Sequence, residues 1–593
     1  MTATLLSPGL DQEQSATQTA AAPGGVFIPP RQARGAERWR LLAVSAGLAV
    51  AMGVIAVRLV LTAAPSTVPT ANASPMAAVK PVQVTPDANA RSTLPRAKIF
   101  DRNGTLLAFS LPVHSLYAHP KDVPDAKATA DALSAQFPNV DRDTILRRLQ
   151  DPDAKFVYLA QHLTPAEYFE ALSLGLPGVQ AQTEYKRVYP QGQLTSHVVG
   201  ATRADQTALS GIEAYFDADL VAAAQVPMTL SLDVRVQKIV RQELQEQIDL
   251  YAAKAGIGIV MDVRSGEFLA SVSLPDFDPN STGPRDPNQE MNRVSSGVYE
   301  LGSVFKPIIA AIALDNNLAK SDTMFDASHP IFVNKYPVKD FHGKNRWLSM
   351  MEVLKYSSNI GAVRIASVVG VERTVEYFDR FGLLTPPSMD IHEVQAPLVP
   401  KRWQELDVAM SSFGYSLNVS PAQFVAAFSS LVNGGTLYSP TFLAINDADA
   451  VQGTRVIRQE TSDTVRSMLR SVVDGGTGRN GDTNLYPVGG KTGTALKRSP
   501  TGGSSSDKRL SSFIGAFPID QPRYVVFVMV DEPQERIEVT GRYATGGKVA
   551  APAVSHIIDR IAPMLGVQPR PAPTMVATGK TKARGIQTAS VRN

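Results

Sequence analysis

Between Leu41 and Ala64 the chain carries one charge, Arg58, in a run that is otherwise apolar or small. As a helix of about 24 residues at 1.5 Å rise, the run would cover about 36 Å. A bilayer's hydrocarbon core is about 30 Å thick, so the stretch predicts a membrane span. Arg58 lies near its outer end, where a long stem can carry the guanidinium to the headgroups. Arg31, Arg34, Arg38 and Arg40 precede the span, and the next basic residue after Arg58 is Lys80. That asymmetry predicts a cytoplasmic N-terminus and a single-pass membrane protein with the rest of the chain outside the cytoplasm. A cleaved signal peptide ending at "LTAA" is the competing reading. The apolar run is longer than a signal core and Pro65 would follow the cut, which favours an uncleaved anchor.

The anchor divides the chain. Residues 1–37 are rich in Ala, Gln, Thr, Gly and Pro, with few large apolar groups to pack, and are expected to be a disordered cytoplasmic tail. Residues 38–64 form the anchor, and 65–95 a Pro/Ala/Thr/Ser/Val linker. Residues 96–226 have a mixed α/β pattern, 227–566 a larger domain, and 567–593 a Pro-rich basic tail. In "AKIFDRNGTLLAFSL" two short strands flank the Asn103-Gly104 turn. In "VPMTLSLDVRVQKIVRQELQEQI" a strand leads into a helix with Val236, Ile239, Val240 and Leu244 on one face. Two β runs then meet at Arg264-Ser265-Gly266. Helical patterns follow, and strands return in "RLSSFIGAFPI" and "RYVVFVMVD". Strands at both ends with helices between predict an α+β domain whose sheet is assembled from distant pieces.

Composition removes several functions. A hydrophobic fraction of 44% and a charged fraction of 19% fit a globular protein with large cores, and a net charge of +3 does not point to nucleic acid. There is no cysteine, so no thiolate zinc or redox motif, and the eight histidines are scattered without His-Glu-x-x-His. Neither a metal nor another cofactor is expected.

One stretch asks for chemistry: "PVGGKTGTALKRS", Pro487 to Ser499. A phosphate-binding loop would need glycine where Leu485 stands and a helix afterwards, whereas "TALKRSPTGGSSSDK" reads as a Ser/Gly loop. The segment is also expected outside the cytoplasm, away from nucleotide. The other reading is a strand at the rim of an acyl-transfer pocket, with Lys491, Thr492 and Thr494 along the strand and Gly493 leaving room for a ligand's backbone. Acyl transfer needs a nucleophile, and no Gly-x-Ser-x-Gly elbow exists. "YELGSVFKPIIAAIAL" offers Ser303 and Lys306, three apart on one helical face. Pro307 is tolerated only in a first turn, so the helix starts near Ser303. Burial and the helix N-terminus both disfavour the ammonium form of Lys306, and a neutral lysine beside a hydroxyl is a usable base. Alone the pair is weak, since Ser505 and Lys508 repeat it in glycine-rich sequence. "LKYSSNIGAVRIAS" adds Ser357 and Asn359, which could line a cleft or merely cap a helix. Ser416 and Asn418 show that this spacing too is cheap.

Together, in this order, Ser303-x-x-Lys306, Ser357-x-Asn359 and Lys491-Thr492-Gly493 resemble the signatures of penicillin-binding proteins and class A β-lactamases. "RAKIFDRNGTLLAFS", "MNRVSSGVYELGSVFK" and "GGTGRNGDTNLYPVGGKTGTA" extend the resemblance to class B penicillin-binding proteins over roughly Arg96 to Pro552, most similar to the septal transpeptidases. Ala97 stands where the family has glycine, and Leu301 where it has proline. The resemblance implies a dimerisation-type pedestal and a β-lactamase-like domain with a central antiparallel sheet flanked by helices. It further implies that Ser303 attacks the D-Ala–D-Ala carbonyl of a lipid II-derived stem peptide while Lys306 takes its proton. Ser357 would relay a proton to the leaving D-Ala, and Asn359 would hold the substrate backbone. Lys491, Thr492 and Thr494 would grip the terminal carboxylate, with the backbone N–H groups of Ser303 and Thr494 as oxyanion hole. β-Lactams would acylate Ser303, and membrane division proteins, including a SEDS-type glycan polymerase, would be partners. An elongation enzyme and a D,D-carboxypeptidase stay open. A β-lactamase gains nothing from anchor and pedestal; a β-lactam sensor would need a larger cytoplasmic module, and a pure scaffold would not need Ser303, Lys306 and Lys491 intact.

Overall fold

A computed structural model describes residues 92–281, 283–445, 451–498, 504–540 and 543–570. The expected cytoplasmic tail and membrane span, residues 65–91 of the linker, and residues 571–593 of the basic tail lie outside the described residues. Among the described residues no helix is long and apolar enough to cross a membrane.

The first strands, β1 (Ile99–Phe100) and β2 (Leu106–Ala118), flank the Asn103-Gly104 turn as the sequence predicts. The Asp101 carboxylate accepts the N–H groups of Asn103 and Thr105 at 2.8 and 2.7 Å, and Gly104 takes φ +82°, which a Cβ would resist. Strand β2 pairs antiparallel with both β3 (Val157–Leu163) and β4 (Val179–Val188). Helices α1 (Ala126–Gln136), α2 (Arg142–Leu149) and α3 (Pro165–Ser173) pack Leu133, Ile145 and Ala171 into one core with Leu116 and Leu159. At the root of this unit Glu213 accepts Nε–H from Arg96 and from Arg187, at 2.8 and 2.6 Å, with every one of the three side chains at most 1% exposed.

Strand β1 also pairs, in parallel, with β5 (Met228–Thr229), so the pedestal's first strand is joined to the start of the larger domain. Helix α4 (Val234–Leu250) follows, with Asp233 as its N-cap and Val236, Ile239, Val240 and Leu244 buried as their spacing predicts. Next come β6 (Ala255–Asp262) and β7 (Phe268–Leu274), a hairpin closed at the expected turn. The helical middle supplies α5 (Lys306–Asp315), α6 (Met350–Tyr356), α7 (Asn359–Val369), α8 (Pro421–Val432) and α9 (Gln459–Val473). Strands β8 (Gly489–Arg498), β9 (Ser504–Phe517) and β10 (Tyr524–Asp531) and helix α10 (Gly546–Ile561) complete the domain.

The five long strands form one antiparallel sheet, β8-β9-β10-β6-β7. Its two halves, more than two hundred residues apart in the chain, meet where Ile259 stands opposite Phe527. Helices α4 and α10 pack on one side with Val526 and Val528, while α5 and α8 pack on the other with Val525 and Phe527. Strand β6 is therefore buried at every position and β10 at all but its last, which explains the apolar runs that precede Asp262 and Asp531.

Two expectations change. The Ser/Gly stretch after Thr494 is not simply a loop: β8 continues to Arg498 and β9 begins at Ser504. Cross-strand pairing through Leu496↔Arg509, and Lys497 held by Asp531 and Glu532 at 2.8 and 2.9 Å, outweigh weak local β propensity. Ser505 and Lys508 thus lie on a strand and not on a helical turn. The C-terminal body also extends past residue 566: Val567 is buried, and Arg570 N–H donates to the Leu485 carbonyl at 2.6 Å.

Candidate active site

A 3₁₀ turn, Gly302–Phe305, runs directly into α5, with Pro307 in the first turn where its missing N–H costs nothing. Gly302 has φ +65°, and a Cβ there would stand 3.1 Å from the Thr494 carbonyl, so this turn is pressed against β8. Ser303 is half-buried, whereas Lys306 is 0% exposed on a helix whose first nine residues are all buried. Lys306 Nζ lies 2.6 Å from Ser303 Oγ. Burial pushes the Lys306 ammonium down to about 7, against the pull of the Asp340 carboxylate.

The second stretch is a hinge between helices. Ser357 ends α6 in the left-handed region at φ +59°, and α7 starts at Asn359. The cap function falls to Ser358, whose Oγ accepts the Gly361 N–H at 2.9 Å. Ser357 and Asn359 are thereby left to face Lys306. Asn359 Oδ1 accepts from Lys306 Nζ at 2.7 Å, and the Ser357 carbonyl and hydroxyl accept at 3.1 and 3.2 Å. Asn359 Nδ2 donates to the Lys339 carbonyl at 3.0 Å, which fixes which end of the amide meets the lysine.

These partners orient the amine. An amide oxygen and a backbone carbonyl can only accept. A neutral Lys306 therefore spends its two N–H bonds on Asn359 Oδ1 and the Ser357 carbonyl. Its lone pair then faces two hydroxyls, Ser303 Oγ at 2.6 Å and Ser357 Oγ at 3.2 Å, and the shorter contact to Ser303 is the geometry that proton abstraction requires.

Lys491 comes from the edge strand β8 and is also 0% exposed. Its Nζ donates to Ser357 Oγ at 2.9 Å and to the Thr492 carbonyl at 3.1 Å. Burial first, and the Lys306 charge second, hold its pKa well below the ordinary lysine value. Thr492 Oγ1 donates to Thr477 Oγ1 at 3.1 Å, and Thr494 Oγ1 accepts the Gly546 N–H at 3.1 Å. A Cβ on Gly493 would come within 2.3 Å of Ser512 Oγ and 2.8 Å of the Leu301 carbonyl, so the room this glycine leaves is used by β9 and by the approach of the turn that carries Ser303. Ser303, Lys306, Ser357, Asn359 and Lys491 thus meet in one hydrogen-bonded cluster, while the hydroxyls of Thr492 and Thr494 are engaged by Thr477 and Gly546. The look-alike pair does not join them: Ser416 N–H donates to Glu300, and Asn418 forms a backbone bridge with Leu398.

Residues 256–559 match the penicillin-binding protein transpeptidase domain, and residues 91–226 the penicillin-binding protein dimerisation domain. The chain belongs to the class B penicillin-binding proteins. A Caulobacter vibrioides relative named "Probable peptidoglycan D,D-transpeptidase FtsI" is 36% identical over 484 residues, 80% of this chain and 82% of the relative. The Escherichia coli K12 peptidoglycan D,D-transpeptidase FtsI is 30% identical over 514 residues, 80% of this chain and 84% of the relative. A crystal structure from Atopobium parvulum matches with a TM-score of 0.62 at 23% identity, over 80% of this chain and 99% of that one, which is a likeness of fold.

Sequence reasoning missed two contributors to this penicillin-binding protein's site. Asp340 accepts the N–H groups of Asn359 and Ile360 at 2.6 and 3.0 Å and the Ser358 hydroxyl at 2.6 Å, so it anchors the start of α7. Nothing in "YPVKDFHGKN" marks it, because its partners lie 18 to 20 positions away. Thr477, which receives the Thr492 hydroxyl, had one signal: its place in the run "GGTGRNG".

Proposed function

We propose that the protein is a septal peptidoglycan D,D-transpeptidase, anchored in the inner membrane, that cross-links stem peptides through an acyl-Ser303 intermediate. The observation that carries the reading is a buried lysine, with a pKa near 7, 2.6 Å from a half-exposed serine hydroxyl. Ser303 Oγ attacks the carbonyl of the D-Ala–D-Ala bond while its proton passes to the Lys306 lone pair. The tetrahedral oxyanion lies between the backbone N–H groups of Ser303 and Thr494, donors worth about 3 kcal/mol each in acyl transferases. As the C–N bond breaks, the departing D-Ala nitrogen takes a proton through Ser357, which touches both lysines. Lys491, Thr492 and Thr494 hold the substrate carboxylate with charge-assisted bonds, and Asn359 the peptide backbone. An amine from a neighbouring stem then attacks the acyl ester, gives up its proton and frees Ser303. β-Lactams enter at the first step.

In this reading residues 1–37 are the cytoplasmic tail, 38–64 the anchor, 65–95 the linker, 96–226 the pedestal, 227–570 the catalytic domain, carried past 566 by the packing of Val567 and Arg570, and the remaining residues the tail. Membrane division proteins, including a SEDS-type glycan polymerase, are the partners. The relatives named FtsI support the septal assignment. Fluorescent-penicillin labelling of membranes tests the chemistry: label should be lost in Ser303→Ala, and persistent covalent label would sink it. Incubation with a stem-peptide donor and an amine acceptor should yield cross-linked product; release of D-Ala alone would make the enzyme a carboxypeptidase. Depletion should give filaments, whereas round swollen cells would assign it to elongation.

A further inference from the structure

A cavity of about 520 Å³ opens where the end of β4 meets the segment following β7, and none of its lining residues belongs to the Ser303 site. Four cationic side chains line it, Lys186, Arg187, Arg203 and Arg285, against the single carboxylate of Glu290. Lys186 and Arg203 are exposed. The Arg187 side chain is 1% exposed: Nε is spent on Glu213, and Nη1 on the Arg96 carbonyl and Ser110 Oγ at 3.3 and 3.4 Å. Its Nη2 is buried with no partner among the described residues. Arg285 has the same feature. Nη2 donates to the Pro279 and Ser281 carbonyls at 3.4 and 3.3 Å, Nη1 stands 3.7 Å from Glu290, the guanidinium carbon lies 4.9 Å over the Phe277 ring, and Nε is buried with no hydrogen-bond partner among the described residues.

Buried guanidinium N–H groups without acceptors are uncommon, and two on one cationic cavity point to an anion. The wall is preformed. Asn280 clamps Tyr189 at both ends, accepting its N–H and donating to its carbonyl, each at 3.0 Å.

We propose that this cavity binds a phosphate-bearing anion. Guanidinium groups match the tetrahedral oxygens of phosphate, and four cations against one carboxylate favour a multiply charged ligand over a lone carboxylate. The volume suits a diphosphate or a phosphate ester. Lys186, Arg187 and Arg203 come from the pedestal and Arg285 from the catalytic domain, so one ligand would bridge the two.

Equilibrium dialysis of the full-length protein in neutral detergent, with radiolabelled inorganic pyrophosphate at low salt, tests this. One saturable site is expected, weakened at least tenfold in Lys186→Ala/Arg203→Ala and in Arg285→Gln, with melting temperature and penicillin labelling of Ser303 unchanged. These variants avoid Arg187, whose loss would strip Glu213 of a partner; should one misfold, the other carries the test. Displacement of the label by dihexanoyl phosphatidylglycerol would identify a lipid headgroup as the source. Displacement by a soluble phosphomonoester but not by the lipid would identify a soluble compound. No saturable binding, or equal affinity in the folded variants, overturns the proposal.

Discussion

The amines of Lys306 and Lys491 share one hydroxyl: Ser357 Oγ lies 3.2 Å from the first and 2.9 Å from the second, and both lysines are completely buried. Two ammonium groups on one oxygen would repel in a region stripped of water, so the arrangement favours at most one charge. Lys491 is the residue on which that repulsion falls, adding to its own burial. A proton moved between the amines through Ser357 needs no bulk water.

The first prediction concerns pH. In the proposed mechanism Lys306 accepts a proton only when neutral, and its pKa is lowered to about 7. The second-order rate of Ser303 acylation by a β-lactam should rise about tenfold per pH unit below 7 and level off above it. A flat profile between pH 5 and 9 in stopped-flow acylation would refute this. Lys306→Met should lose about 100- to 10,000-fold on the plateau above pH 7, and the dependence on pH with it.

Asp340 gives a second. Its carboxylate holds the start of α7 and raises the Lys306 pKa against burial. In Asp340→Asn the acylation rate should fall about 10- to 100-fold through misplacement of Asn359. The midpoint of the pH profile should move to lower pH, because a stabilising negative charge is gone. A drop in rate with an unmoved midpoint would assign Asp340 a purely structural role.

The pedestal root gives a third. Glu213 pairs with two buried guanidinium groups, those of Arg96 and Arg187, and Asp217 supplies a second carboxylate to Arg96 at 2.5 Å. Breaking such a cluster costs about 3–5 kcal/mol. Glu213→Gln should therefore lower the urea midpoint of the pedestal transition strongly while sparing acylation of Ser303 per folded molecule. Unchanged denaturation would mean that the carboxylate contributes nothing net.

A fourth concerns Gly493, whose missing Cβ admits both Ser512 Oγ and the Leu301 carbonyl. Gly493→Ala should push the Ser303 turn off β8 and cut acylation at least tenfold with little change in the pH midpoint. Wild-type acylation by this variant would show that the turn can yield without cost.

Much of this protein was readable in one dimension. Apolar spacing locates α4, and turn chemistry locates the Asn103-Gly104 and Arg264-Ser265-Gly266 reversals, because period and punctuation are local properties. Pro307 limits where a helix can begin, and so identifies the turn holding Ser303 and Lys306. Other features were opaque. Ser/Gly-rich sequence after Thr494 looks like loop until a neighbouring strand supplies its pairing, and Ser505–Lys508 spells the same letters as the working pair.

What local pattern supplied was a set of residue types suited to acyl transfer and an order in which they occur. Three-dimensional packing alone decided which of them meet. Burial of α5 on all sides removes water from Lys306, a long-range sheet carries Lys491 to Ser357, and Asp340 reaches back to fix Asn359. Desolvation and hydrogen bonding act through space, so a lysine's protonation state is a property of its surroundings and is not written in its neighbours along the chain.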